Sequence, residues 1–358
     1  MPSLKEIKGR INSISSTLAI TSAMKMVAAA KLQKAQMAIQ NMLPYERRLH
    51  SMLIDLMGAM NISAAASEDG SVRGSGSAER GFDQSGDRLS LSNRHDLAGM
   101  DGAYSLMAQR EVRKVAIVAF ASNSSLCGAF NSNVIREATA VINEYRASGL
   151  GDADITVYSV GRKMAEAMKK LGFPSPADFT KMSDSPSYDA ASALAQELFD
   201  GFVSGRFDKV ELVYNHYKST SSQPTIRQTY LPLSLADATA DIQVGKITDS
   251  ASESDTNRVA EPVGAPVVRQ GSPTTEDLIV EPSKEALIAT LLPKVIRLRI
   301  FTTLLDSAAA EHAARTVAMQ LATDNGNDLL QELTLEYNKG RQQKITSEIL
   351  DLVGGSMQ

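Results

Sequence analysis

The sequence predicts an α/β protein with a long α-helical coiled coil. Apolar residues recur at heptad spacing at both ends of the chain, and strand-like and helix-like segments alternate between these ends. The C-terminal helix is predicted from Ser283 to Val353, between a serine that can cap its first turn and a pair of glycines. At ~1.5 Å per residue it would span roughly 105 Å. A helix of this length needs another long helix alongside it.

The N-terminal segment, residues 1–62, is predicted to supply that partner helix. Apolar or small residues recur there in alternating steps of four and three over about five heptads, which is typical of a coiled-coil seam. Thr21 and Lys25 interrupt the apolar pattern, either as a register irregularity or because the lysine stem lies along apolar surface. Pro44 either kinks the helix or ends it locally. The seam residues are Ile7, Ile11, Ile14, Leu18, Thr21, Lys25, Ala28, Leu32, Ala35, Ile39 and Met42.

Two segments without periodicity are predicted to be flexible insertions. Residues 63–111 are rich in Ser, Gly, Asp and Arg, and residues 236–282 are acidic and contain an extended, Pro-containing stretch. Both have too little hydrophobic content to form a packed core. We assign no chemistry to either insertion.

In residues 112–235 predicted strands alternate with predicted helices, which is typical of an α/β domain. Strands that alternate with helices predict a parallel sheet built by right-handed crossovers. The predicted strands are Val115–Phe120, Ile155–Val160, Lys209–Tyr214 and Thr225–Leu231, and the predicted helices are Ser132–Arg146, Lys163–Leu171 and Tyr188–Val203.

The C-terminal helix, within residues 283–358, has its own heptad seam. The residues at its steps of four and three become smaller along the helix and include several alanines, as suits two closely packed helices. Past Leu333 charged, amide and glycine residues replace the apolar ones, so we expect the tip to be unpaired with the N-terminal helix. The predicted seam is Leu287, Leu291, Val295, Leu298, Phe301, Leu305, Ala308, His312, Arg315, Met319 and Ala322.

The sequence contains no constellation typical of catalysis, cofactor binding or metal binding. Cys127 is the only cysteine, and Asn133 stands where a cysteine phosphatase requires arginine. The four histidines are far apart, and no Gly-Lys-Ser/Thr phosphate loop occurs. An enzyme that uses Cys127 is therefore a weak alternative, to be tested by Cys127→Ala. The residues favour a mechanical or binding protein.

Charge distribution suggests a protein partner. Residues 1–50 contain eight lysines and arginines against two glutamates, so this end should bind an acidic surface. Nucleic acid is a poor candidate, because the chain has a net charge of −4, no tryptophan and 5% aromatic residues.

Several blocks of the sequence resemble the gamma subunit of bacterial rotary (F-type) ATP synthases. They cover both terminal helices and most of the α/β domain. The blocks are Leu4–Ile11 (LKEIKGRI), Ile20–Lys31 (ITSAMKMVAAAK), Tyr214–Ser219 (YNHYKS), Leu231–Leu233 (LPL), Glu311–Arg315 (EHAAR), Val317–Gln320 (VAMQ), Ala322–Asn325 (ATDN), Tyr337–Gln342 (YNKGRQ) and Ile345–Ile349 (ITSEI).

The resemblance implies an antiparallel two-helix coiled coil from the N- and C-termini, with a Rossmann-like α/β domain that has a mainly parallel sheet. It also implies a non-catalytic, central-stalk rotor that couples ion flow to ATP synthesis or hydrolysis on other subunits. The implied partners are the alpha and beta subunits of the catalytic ring, the epsilon subunit and the membrane c-subunit ring. Neither a cofactor nor direct nucleotide binding is expected, and the implied location is peripheral, on the cytoplasmic side of the bacterial inner membrane.

The same resemblance assigns rotor–stator contacts to six positions. Met24 and Lys25 match positions that face an acidic loop of the catalytic subunits, and Arg315, Gln342 and Thr346 match the coupling surface of the C-terminal helix. Arg341, with Gln342, lies near the tip, where the family's shaft meets the bearing of the ring. The loop Ser122–Gly128 departs from the family pattern, because Asn123 and Ser124 replace an Asp-Arg pair. The six positions are Met24, Lys25, Arg315, Arg341, Gln342 and Thr346.

One alternative belongs to a different functional class. A free-standing coiled-coil scaffold that carries an α/β binding module would also explain the two seams and the lack of catalytic residues. It would self-associate through the seam and would require no ATPase partners.

Overall fold

The computed structural model describes residues 3–68, 110–233 and 284–355. The predicted insertions lie mostly outside these residues. Residues 63–68 are described, and they continue the first helix rather than beginning an insertion.

Two long helices dominate the described structure. Helix α1 spans Leu4–Glu68 and helix α6 spans Lys284–Gly355, with 65 and 72 residues respectively. Helix α1 continues through Pro44, so this proline does not end it. Helix α6 likewise contains Pro293. The two helices pack against each other, as the prediction of a paired long helix requires.

The helices pack antiparallel. An added Cβ at Gly340 would lie 3.1 Å from Leu4 Cδ2, and one at Gly326 would lie 2.7 Å from Leu18 Cδ2. Going from the first contact to the second moves about two heptads toward the C-terminus of α1 and about two heptads toward the N-terminus of α6. The two helices therefore run in opposite directions. Further up the shaft, Leu32 packs in one cluster with Ala309 and Ala313.

The α1 seam predicted from the sequence is confirmed. All of its residues are buried or half-buried, and Ile7, Ala28 and Leu32 are the most buried of them. Lys25 is half-buried in register with the rest, so the seam continues through it without a slip. Thr21 contributes a polar seam contact, because its hydroxyl lies 3.1 Å from the donating hydroxyl of Thr323.

The α6 seam requires two corrections. Ala322 is exposed, and Thr323 occupies the seam instead. The prediction that pairing stops near Leu333 is also wrong, because the contact continues to Gly340 against Leu4. At Gly326 and Gly340 the helix surface contacts leucine side chains of α1. Counting apolar residues at heptad positions does not detect this kind of pairing. The lower seam follows Met319, Thr323, Gly326, Leu330, Leu333, Tyr337 and Gly340, all at least half-buried.

A four-stranded mixed sheet forms the α/β domain. The strands are β1 (Val115–Phe120), β2 (Ile155–Val160), β3 (Lys209–Asn215) and β4 (Thr225–Leu231), in the spatial order β2-β1-β3-β4. Strand β1 is parallel to β2 and β3, as predicted, and β4 is antiparallel to β3. The antiparallel pair arises because a short loop joins β3 to β4 without a crossover helix.

The helices of the domain agree closely with the sequence prediction. They are α2 (Phe130–Ala147), α3 (Arg162–Lys170), α4 (Thr180–Asp184) and α5 (Tyr188–Val203). The prediction omitted only the short α4. Ser187 caps α5 by accepting a hydrogen bond from the backbone N–H of Ala190.

The two faces of the sheet are covered differently. Helices α2 and α3 cover one face, with Val134, Ile142 and Met164 in its core. The other face packs against α5 and against α6 itself, whose Leu292, Ile296 and Ile300 share a core with the strands. Part of the coiled coil is thus also part of the domain, which fixes α6 to the sheet. Among the described residues, no helix has the length and apolar character needed to span a membrane.

Candidate functional site

The six positions predicted for rotor–stator contact fall into three groups along the coiled coil. Met24 and Lys25 lie on α1 between Leu18, which contacts Gly326, and Leu32, which packs with Ala309, and both are half-buried. Arg315 lies where the coiled coil passes the α/β domain. Arg341, Gln342 and Thr346 are exposed at the tip of α6.

Arg315 joins the shaft to the α/β domain. Its guanidinium donates to Glu311 Oε1 at 2.7 Å, and through its other terminal nitrogen to Ser124 Oγ at 2.7 Å. Its side chain retains 12% exposure and that of Glu311 retains 9%. The structure therefore gives Arg315 an intramolecular role that the sequence did not indicate, since Ser124 is remote along the chain. A contact between Arg315 and a stator subunit stays a prediction.

Glu311 and His312 are titratable groups whose pKa values are shifted by burial. Burial raises the pKa of the Glu311 carboxyl, and the neighbouring Arg315 partly opposes this rise. Burial, with the nearby Arg315 and Lys31, lowers the pKa of His312 to about 4. His312 is therefore neutral near pH 7, and its buried Nδ1 has no hydrogen-bond partner among the described residues.

The loop Ser122–Gly128 is organised around Asn131, the second residue of α2. The Asn131 side-chain oxygen accepts from the Ser122 backbone N–H at 3.0 Å, and its Nδ2 donates to Cys127 Sγ at 3.1 Å. Leu126 has a positive φ of 68° and is exposed. The loop therefore exposes an apolar side chain at Leu126 and presents the Ser124 hydroxyl to Arg315 of the shaft.

Cys127 is a core residue of this loop. It is 1% exposed and packs with Phe130 and Ala310. Its hydrogen-bonding neighbours in the described structure are Ser122, Ser124 and Asn131, and these include neither a histidine nor a carboxylate that could activate a thiol. This geometry favours the structural interpretation of Cys127.

The tip of α6 begins where its pairing with α1 ends. From Arg341 to Leu350 every residue is exposed, and the Thr346 hydroxyl donates only to the backbone oxygen of Gln342. Large apolar side chains share this tip with the predicted contact residues, and Leu352 is 74% exposed. An exposed apolar helix end of this kind is typical of a protein-binding surface. The apolar residues are Ile345, Ile349, Leu350, Leu352 and Val353.

Exposed apolar residues also follow the paired part of the shaft. Met26 is 64% exposed on α1, and Leu335 is 66% exposed on α6. A coiled coil that met only water would carry polar residues on its outer faces. We name this set, together with the tip, the outer apolar surface. On the paired part it comprises Ile20, Met26, Val27, Met37, Leu321, Leu329 and Leu335.

Metal ligation finds no support in this geometry. Within residues 3–68, 110–233 and 284–355, no three His, Cys, Asp or Glu side chains lie together as a possible metal site.

The comparisons with known proteins identify the family. The sequence model of the ATP synthase family matches residues 3–357. The chain is 47% identical to the ATP synthase gamma chain of Phocaeicola vulgatus over 357 residues, covering 100% of both chains. The chain belongs to the ATP synthase gamma-chain family. Similar proteins of the same name include that of Bacteroides thetaiotaomicron, 45% identical over 100% of both chains.

Solved structures support the fold. The chain resembles a chain of the rotor of the Euglena gracilis mitochondrial ATP synthase, with a TM-score of 0.51 and 17% identity over 96% of this chain and 98% of that one. It also resembles a chain of the OSCP/F1/c-ring structure from the same organism, with a TM-score of 0.54 and 18% identity over 99% and 93% of the two chains. The family resemblance and the fold class predicted from the sequence are both confirmed.

Proposed function

We propose that this chain is the central-stalk rotor subunit of a proton-translocating F-type ATP synthase. In this role its rotation couples ion flow through a membrane ring to ATP synthesis or hydrolysis on the catalytic subunits. The chain itself is non-catalytic and binds no nucleotide. Its family membership supports the assignment, and the outer apolar surface is the structural observation that carries it.

The outer apolar surface fits a shaft enclosed by other subunits. It continues from the paired region, represented by Met26 and Leu335, to Leu352 at the free tip. Burying apolar area stabilises an interface by about 25 cal/mol per Å² before ordering costs are subtracted. A ring of alpha and beta subunits around the coiled coil would provide that burial, with the tip in a bearing at its far end.

Charge complementarity would orient the shaft within the ring. Helix α1 exposes Lys5, Lys8, Lys31 and Lys34, and Lys25 is half-buried beside Met24. An acidic loop on each catalytic subunit would contact this basic face in turn as the shaft rotates. Because the two helices present different side chains, each catalytic site would meet a different face at a given moment. Such differential contact can shift the nucleotide affinities of the sites.

The α/β domain would form the foot of the rotor. We assign to it the contacts with the epsilon subunit and the membrane c-subunit ring, and place the complex on the cytoplasmic side of the bacterial inner membrane as a peripheral assembly. Since Leu292, Ile296 and Ile300 of α6 are part of the domain core, a turn of the domain would be transmitted to the shaft.

Reconstitution with the alpha and beta subunits of the same organism tests the proposal. The rotor assignment predicts a complex that contains one copy of this chain and hydrolyses ATP. Ile349→Asp, on the apolar tip, should weaken assembly, whereas Ser347→Asp, also exposed on the tip, should weaken it less. The scaffold alternative predicts self-association through the seam and no complex with these subunits.

A further inference from the structure

The loop between β3 and β4 contacts α6 through two hydrogen bonds to the carboxylate of Asp306. Asp306 Oδ1 accepts from the Tyr217 backbone N–H at 2.9 Å, and Asp306 Oδ2 lies 2.6 Å from His216 Nδ1. This hydrogen bond to Asp306 raises the pKa of His216, which favours an ion pair. The side chains of His216 and Asp306 are 24% and 18% exposed, so the pair is partly shielded from water. The two bonds to Asp306 fix the loop at one level of α6.

The same loop also reaches α1. Gln36 Nε2 donates to the Tyr217 hydroxyl at 2.7 Å. The Tyr217 side chain packs against the cluster that Leu32 of α1 forms with Ala309 and Ala313 of α6. Tyr217 therefore contacts both helices at the seam that joins them.

The loop is itself braced against the sheet. The His216 backbone N–H donates to the Pro224 oxygen at 2.9 Å, which closes the loop at its base. Asn215, the last residue of β3, donates from Nδ2 to the Phe130 oxygen at 3.0 Å and accepts from the Thr225 hydroxyl at 2.6 Å. A braced loop can carry a force from the strands to the residue at its tip.

We propose that Tyr217 and Asp306 form a pin that locks the α/β domain to both helices of the coiled coil, so that the domain and the shaft turn together. This inference rests on the proposed rotor function and identifies positioning residues within it. The pin lies beside Leu32, close to where the coiled coil leaves the domain.

The pin adds a directional restraint to the packed core that already joins α6 to the sheet. Burial of apolar area is itself non-directional. Hydrogen bonds have narrow distance and angle requirements, and a charged partner strengthens them. The pin should therefore resist rotation of the domain about the shaft under load.

Hydrogen exchange of the full chain tests the lock directly. In the wild-type chain the hydrogen bond to Asp306 should protect the Tyr217 amide. Asp306→Ala should accelerate its exchange about tenfold, whereas Asp306→Asn, which keeps an acceptor oxygen, should have a smaller effect. Unchanged protection of residues 216–224 in Asp306→Ala would overturn the assignment of the pin. Circular dichroism verifies that each variant keeps its helices.

Proton pumping by the assembled complex tests the mechanical role. Asp306→Ala and Tyr217→Ala should each lower the protons pumped per ATP hydrolysed by at least about twofold, because a domain without these directional bonds yields more readily under load. Tyr217→Phe, which loses the Gln36 hydrogen bond but keeps the ring, should show a smaller loss. Tyr45→Phe, an exposed tyrosine on α1, is the matched control and should show none.

The two tests separate this inference from the proposed function. Faster exchange with an unchanged pumping ratio would overturn the torque role of the pin. If the wild-type chain formed no ATPase complex, the rotor assignment itself would fail, and the exchange experiment would still decide whether Asp306 locks the loop to the shaft.

Discussion

Leu18 of α1 packs directly onto Gly326 of α6. A Cβ added to Gly326 would stand 2.7 Å from Leu18 Cδ2, which is closer than carbon atoms approach, and 3.2 Å from Leu18 Cγ, so the leucine would have to move. The absence of a side chain at residue 326 thus permits the leucine to fill the seam. This contact sets how closely the two helices approach in the lower half of the shaft.

Gly326→Ala should lower the thermal midpoint of the full chain. Alanine favours the helix by ~1 kcal/mol over glycine, but overpacking a seam costs ~1–3 kcal/mol, so we expect a net loss of about 1 kcal/mol. Gly9→Ala is the matched control, since an added Cβ there meets nothing within 4 Å, and it should raise the midpoint. Equal stabilisation by both substitutions would show that Leu18 does not constrain the seam.

Arg315→Met should strongly destabilise the junction of shaft and domain. It would leave the Glu311 carboxylate, on a side chain that is 9% exposed, without its cation, and breaking a buried pair costs ~3–5 kcal/mol. Urea unfolding at pH 7 measures the loss. Because the pKa of Glu311 is already raised, the deficit should shrink as acid protonates the carboxyl. Adding Glu311→Gln should recover part of the stability, and a double variant no better than Arg315→Met would contradict the pairing.

His312 should make the chain less stable in mild acid. Its pKa is lowered in the fold from about 6.5 to about 4, so the unfolded chain binds a proton that the folded chain does not within this interval. Stability should therefore fall as the pH decreases from about 6.5 toward 4. Urea titrations of His312→Gln over this range should show a smaller dependence on pH than the wild-type chain.

His216 supplies a control of opposite sign for the His312 experiment. Its hydrogen bond to Asp306 raises its pKa, so its contribution is fully present below its unfolded pKa and is lost as the pH rises through the raised value. His216→Gln should thus lose most stability at low pH. Identical pH profiles for the two variants would contradict the assigned environments.

Met24→Lys should impair coupling more than assembly. Met24 is half-buried next to Lys25, and a second cation there would bind the acidic loop of a catalytic subunit too firmly in one orientation. In the reconstituted complex we expect ATP hydrolysis to continue while proton pumping falls. Met24→Leu, which keeps the apolar volume, should pump normally. A loss of assembly equal to the loss of pumping would count against a contact at Met24.

Features with a strong local period could be predicted from the sequence. The buried strands Val115–Phe120 and Ile155–Val160 have the bounds predicted for them, and the heptad steps of α1 located its seam. These signals come from residues close together in the chain. The same rule failed at Gly326 and Gly340, because a glycine that receives a leucine from the opposite helix carries no apolar signal of its own.

Contacts between distant segments could not be predicted from the sequence. The Arg315–Ser124 and Gln36–Tyr217 hydrogen bonds join residues separated by 191 and 181 positions, and each depends on how the domain sits on the shaft. Family resemblance assigned Arg315 to a rotor–stator contact and did not indicate its bonds to Glu311 and Ser124. The contacts of Met24, Lys25, Arg341, Gln342 and Thr346 with other subunits remain predictions, to be decided in the assembled complex.

Direct observation of rotation tests the central claim. The catalytic ring is immobilised, and a bead is attached to the α/β domain through Lys169→Cys, an exposed position on α3, in a Cys127→Ala background. If the chain is the rotor, the bead should rotate in one direction when ATP is added and stop when ATP is removed. A complex that contains the labelled chain and hydrolyses ATP while the bead shows only Brownian motion would contradict the rotor function.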